Sequence, residues 1–137
     1  MVSTDRIPAD RPARTTDKAA RGMAFSLAGM GALHFVAPKP FDSIVPPNLP
    51  LGLTPRRATQ LSGVAELTTA ALLAAPRTRR LGGAAATALF LAVFPANIHM
   101  AQQWSDKPLP LRLGAYARLP LQVPMITTAV KIARDRG

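Results

Sequence analysis

Four stretches of this chain carry at most one formal charge each: Gly22–Pro38, Ala58–Pro76, Leu81–Ser105 and Leu113–Val130. The third is the longest, 25 residues without Asp, Glu, Lys or Arg. That is enough to cross a hydrocarbon core, which takes about 20 residues of helix. From Leu81 to Phe94 the only polar side chain is Thr87, so a helix here has no polar face. A helix apolar all round belongs in a large core or in lipid, and 137 residues do not build a large core. The expected architecture is therefore all-α: an integral membrane four-helix bundle, with spans at about 22–38, 58–76, 81–105 and 113–132.

The formal charge of +10 invites a nucleic-acid reading, but aromatic residues make up only 5% and no nucleic-acid motif is present. The 13 Arg and 4 Lys gather at the ends of the uncharged runs. Counting them by side favours N- and C-termini in the cytoplasm and a multi-pass inner-membrane location. Residues 1–20 are polar and read as a disordered cytoplasmic tail, leaving 21–133 as the membrane domain. Trp104 and Tyr116 flank an outer connection, as an interfacial aromatic belt does.

There is no cysteine, so the chain has no thiol nucleophile, disulfide or sulfur-ligated iron–sulfur cluster of its own. Between Pro38 and Pro55 lie six prolines, at 38, 40, 46, 47, 50 and 55, mixed with Phe41, Ile44, Val45, Leu49, Leu51 and Leu53. Proline removes a donor and fixes φ, so this segment is expected to be a stiff, non-helical loop. It would lie over the bundle mouth or rest in the headgroup layer.

The strongly polar residues within the runs are His34, Glu66, Asn97, Arg118 and Gln122, all at one depth in a four-span arrangement. Buried polar groups in lipid are costly and mark working sites. Thr59, Ser62, Gly63, Thr69 and Ala70 share the helical face of Glu66, whereas Leu61, Val64 and Leu72 lie opposite, so Glu66 should face inward. Gly29 and Gly31 precede His34 and would admit a close helix neighbour. Pro95 should kink the third run, turning Asn97 inward and His99 outward. Arg118 offers a fork suited to the Glu66 carboxylate. A Glu66–Arg118 pair bridged by His34 and Asn97 would either lock the bundle or handle a ligand or proton. A His34/Glu66/His99 metal site has suitable ligand types but no spacing motif, and no metal is expected. Met23, Met30, Met100 and Met125 read as packing residues.

Several local patterns occur in order: His34-Phe35 with Pro38, Phe41 with Ile44-Val45-Pro46-Pro47, and Ser62-Gly63 with Glu66. They continue as Phe94-Pro95-Ala96-Asn97 with Met100 and Arg118-Leu119-Pro120-Leu121-Gln122. Together, over about residues 21–133, they resemble the DoxX-like family of small bacterial membrane proteins. The resemblance implies a four-helix bundle in the bacterial inner membrane and an association with membrane redox or oxidative-stress systems. It makes His34, Glu66, Asn97, Arg118 and Gln122 family-pattern positions.

The expected function is thus an accessory or anchoring subunit without catalysis of its own, touching the lipid bilayer and an oxidoreductase partner but no nucleic acid. A quinone- or lipid-binding oxidoreductase subunit is the alternative, with quinone as its cofactor class. A small transporter is the second alternative.

Overall fold

The computed structural model describes residues 15–136. It is all-α, with five α-helices: α1 (Thr15–Val36), α2 (Pro38–Ile44), α3 (Pro55–Ala74), α4 (Arg79–Gln103) and α5 (Leu109–Arg134). A single 3₁₀ turn at Pro50–Gly52 links α2 to α3. α1 packs chiefly on α3 and α4 on α5, while α2 lies across α1, α3 and α4.

The four-span membrane bundle is corrected by this architecture. Among the described residues only α4 is long and apolar enough to cross a membrane. The multi-pass inner-membrane location and the cytoplasmic termini inferred from it therefore lose their support. The physical reason is that an uncharged run need not be an apolar one. The second run includes Thr59, Gln60, Ser62, Thr68 and Thr69 beside Glu66, and the fourth includes Pro120, Gln122, Pro124, Thr127 and Thr128 beside Arg118. Helix α1 also begins at Thr15, inside the segment expected to be a tail. The remainder of that expected tail, residues 1–14, lies outside the described residues.

Helical periodicity explains which side chains point inward. The buried positions of α1 are Ala20, Ala24, Leu27, Gly31 and His34, alternating steps of four and three along one stripe. Those of α5 include Ala115, Gln122 and Ala129, one every seven residues. The core is built of small residues, Ala20, Ala24, Ala70, Ala86 and Ala129, around Leu27, Leu73, Phe90 and Ile132. Small side chains let helix axes approach until backbones touch. A Cβ on Gly83 would stand 2.5 Å from the Ala133 nitrogen, and one on Gly31 would stand 3.1 Å from the Gly63 carbonyl. Gly31 thus provides the close approach expected of it, whereas Gly29 faces open space. Large apolar side chains such as Phe25, Val36, Leu121 and Val123 are exposed on the exterior.

The turn between α3 and α4 is as short as its sequence requires, and Arg79 stitches it. Its Nε donates to the Leu73 carbonyl and its Nη1 lies 2.7 Å from Asp17 Oδ1 on α1. Thr78 Oγ1 donates to the Leu72 carbonyl at 2.8 Å. These bonds satisfy carbonyls that the end of α3 leaves open.

The proline segment contains a helix that the sequence reading excluded. Pro38 is the first residue of α2 and Pro40 the third. The first four amides of any helix have no intrahelical acceptor, so proline there costs no hydrogen bond. α2 is anchored to α3 by Arg56 Nε donating to Asp42 Oδ2 at 2.7 Å. Desolvation pushes the Asp42 carboxyl up, but the nearby Thr59 hydroxyl, the Arg56 hydrogen bond and the Arg56 charge hold it below its ordinary value.

A candidate ligand cavity with a polar layer

Helices α1, α3, α4 and α5 line a half-open cavity of about 570 Å³, to which α2 contributes Phe41 and Ile44. The volume falls within the range of small-molecule sites, about 300–1,000 Å³. Most of its wall is apolar, with Met23, Leu27, Met30, Phe90, Val93 and Met125 among the lining residues. His34, Glu66, Asn97, Arg118 and Gln122 line the same cavity. All five expected site residues therefore meet one space.

They divide into two pairs and one outlier. His34 and Glu66 face each other across the α1–α3 seam, with His34 Nδ1 3.1 Å from Glu66 Oε2 and both side chains about nine-tenths buried. The same nitrogen lies 2.8 Å from the Met30 carbonyl. Both neighbours are acceptors, so the proton is assigned to Nδ1, and Nε2 is the nitrogen left for other partners. The Nδ1–H is aligned on the Met30 carbonyl, which leaves Glu66 Oε2 buried without a hydrogen bond of its own. Phe41 stacks on the imidazole with ring centroids 3.9 Å apart.

Burial alone would lower the His34 pKa. The Glu66 contact, the Met30 carbonyl and the Glu66 charge together outweigh burial and the opposing Arg118 charge, so the pKa is raised above its ordinary value.

Asn97 and Gln122 form the second pair. Asn97 Nδ2 donates to Gln122 Oε1 at 2.6 Å, and Gln122 Nε2 donates to the Phe90 carbonyl. The carbonyl that Pro95 deprives of its helical donor is that of Leu91, the residue after Phe90. Gln122 thus supplies a donor from α5 to a carbonyl of α4, and Asn97 completes the chain.

Arg118 is the outlier. It is exposed on α5 and carries no hydrogen bond or ion pair among the described residues, though its charge reaches His34. The expected Glu66–Arg118 pair is not formed, because Glu66 meets His34 instead. The inward face of α3 is as read from the sequence: Thr59, Gly63, Glu66, Thr69 and Ala70 are buried and Leu61 and Val64 exposed. Asn97 is buried as expected. His99 is half-buried, with its Nε2 enclosed and unpartnered. Among the described residues no three His, Cys, Asp or Glu side chains group as a metal site. Met23, Met30 and Met125 line the cavity and Met100 is in the interior, consistent with packing roles.

Two participants escaped the sequence reading. Phe41 was visible only as one of several apolar residues among prolines, with no signal that it would stack on His34. The Asp42–Arg56 anchor joins residues 14 apart across a non-helical link, a spacing with no periodic signature.

A family model described as "Domain of unknown function (DUF8561)" matches residues 23–133. The chain belongs to this family. The DUF8561 match covers all five helices except the first turns of α1 and the last residue of α5, and so includes the whole cavity wall apart from Ala19 and Gly22. The expected DoxX-like assignment draws no support from it, and the DUF8561 description carries no activity. No curated protein and no solved structure matches the chain.

Proposed function

We propose that this DUF8561 chain is a binding protein for an apolar small molecule with a polar head. The observation that supports the reading is the distribution of polarity within one cavity. The wall is mostly apolar, and the same cavity is lined by the buried polar groups His34, Glu66, Asn97 and Gln122. Apolar ligand sites have this construction, a hydrophobic enclosure with a few placed polar groups that orient the occupant. Glu66 Oε2, buried and lacking a hydrogen bond, is one such group with unused capacity.

A neutral apolar dye, N-phenyl-1-naphthylamine, tests the proposal. The purified chain should enhance its fluorescence saturably. Val93→Phe, which fills the cavity from α4, should weaken binding at least tenfold while leaving helicity intact. Phe25→Ser, on the exposed side of α1, should not weaken it. Equal binding by the Val93→Phe variant would contradict the reading.

We also propose a second role, that of an accessory subunit of a redox system, and one observation favours its docking on an acidic partner. The start of α1, the end of α3, the start of α4 and the end of α5 meet at one end of the molecule, joined by Arg79–Asp17 and by Arg80 Nε donating to the Ala133 carbonyl. Lys18, Arg21, Arg77, Arg80, Lys131 and Arg134 belong to that end. Such a face suits an acidic protein surface. Reversing Lys18, Arg21 and Arg77 to Glu should release a co-purifying oxidoreductase; retention of that partner would contradict this role.

A further inference from the structure

From the unpaired guanidinium of Arg118 in the cavity lining we infer that the ligand is a long-chain aliphatic monocarboxylate, with Arg118 receiving the carboxylate and the apolar wall receiving the chain. This rests on the ligand-binding reading above and specifies its occupant.

The head follows from which polar groups are committed. Glu66 faces His34, and Gln122 is occupied on both sides by Asn97 and the Phe90 carbonyl. Arg118 is the one charged lining group without a bond to another residue among the described residues. A guanidinium presents two parallel N–H donors that match the two oxygens of a carboxylate, a geometry that a carbonyl or hydroxyl uses only in part. Asn97 uses one N–H on Gln122 and retains a second, which can support the same head.

The tail follows from the cavity's length. Its lining on α1 extends from Ala19 to His34, about 22 Å at 1.5 Å per residue. On α5 it extends from Arg118 to Thr128, about 15 Å. Below the polar layer the wall presents Leu27, Leu89, Phe90, Val93 and Met125, which suit methylene groups. The methionines among the lining are unbranched and adapt to a flexible chain.

The test is displacement of cis-parinaric acid, a fluorescent C18 acid, from the purified chain by oleate, by oleyl alcohol and by decyl-ubiquinone. The expected result is that oleate displaces the probe at least tenfold more effectively than the alcohol, which shares its tail. Arg118→Gln should weaken oleate about 10- to 100-fold, the span of one charge-assisted contact, and leave the alcohol within twofold. Lys107→Gln, outside the cavity lining, should leave both unchanged. Equal displacement by acid and alcohol would overturn the carboxylate head while keeping the binding reading. Preference for the quinone would overturn it in favour of a carbonyl head. Failure of all three to displace, together with loss of dye binding, would overturn the binding reading as well. Equal loss of oleate affinity in Lys107→Gln would reduce the effect to general surface charge and also overturn the assignment.

Discussion

His34 Nδ1 stands 3.1 Å from Glu66 Oε2 and 2.8 Å from the carbonyl of Met30, with its N–H aligned on Met30. The Glu66 contact helps raise the imidazole pKa and joins α1 to α3. Glu66→Ala should therefore cost about 1–3 kcal/mol in a chemical unfolding experiment, since it removes the partner of a buried imidazole. Glu66→Gln retains an oxygen acceptor and should cost less. Equal stability of Glu66→Ala and wild type would exclude the pair as a structural tie.

The raised His34 pKa has a definite sign in stability. The folded state binds the proton more tightly than the unfolded chain, whose value is near 6.5. The contribution is complete below that value and disappears as pH rises through the higher folded-state value. Unfolding measured from pH 5 to 9 should show stability falling with rising pH in this upper window, and the slope should vanish in His34→Phe. Two-dimensional NMR titration of the His34 ring should give a value above 6.5 in wild type and a lower one in Glu66→Gln. Asp42 acts oppositely: its depressed pKa contributes above about 3.8, and that contribution is lost as pH falls through the folded value.

The Asn97–Gln122–Phe90 chain should behave as one unit. Gln122→Leu leaves the Asn97 amide buried without its partner and takes a second donor from the Phe90 carbonyl, and should destabilise by about 1–3 kcal/mol. Adding Asn97→Leu removes the stranded amide, so the double variant should be more stable than the sum of the single changes by about 0.5–3 kcal/mol. Strict additivity in a double-mutant cycle would show that the two amides do not interact.

The small-residue seams make a graded prediction. Gly83→Ala places a Cβ 2.5 Å from backbone nitrogen of Ala133 and should cost about 1–3 kcal/mol in thermal or denaturant unfolding. Gly29→Ala, in open space on α1, should instead stabilise by about 0.5–1 kcal/mol through helix propensity. Similar effects from both would contradict the close approach of α4 and α5.

Much of this fold was readable where one helix could be considered alone. The four long helices overlap the four uncharged runs, and the inward face of α3 followed from 3.6-residue spacing around Glu66. The membrane bundle did not follow, because freedom from charge in Ala58–Pro76 and Leu113–Val130 conceals hydroxyls, amides and prolines that keep those helices from being apolar throughout. α2 was hidden because proline content was weighed without position, and Pro38 and Pro40 occupy the one turn that tolerates them. The candidate site was legible as a set of five residues but not as pairs. Spacing along the chain puts Glu66, His34 and Arg118 at a common level. It does not specify the helix rotation and seam that bring His34 to Glu66 and leave Arg118 in the cavity lining without an ion pair.

Photolabelling with a neutral alkyl diazirine, followed by peptide mapping, shows whether the cavity among α1, α3, α4 and α5 is the ligand site. The expected result is saturable labelling at Met30, Phe90, Val93 and Met125, competed by unlabelled oleate and lost in Val93→Phe. Labelling confined to the exposed apolar residues Phe25, Val36, Leu61 and Leu121, without competition, would contradict it.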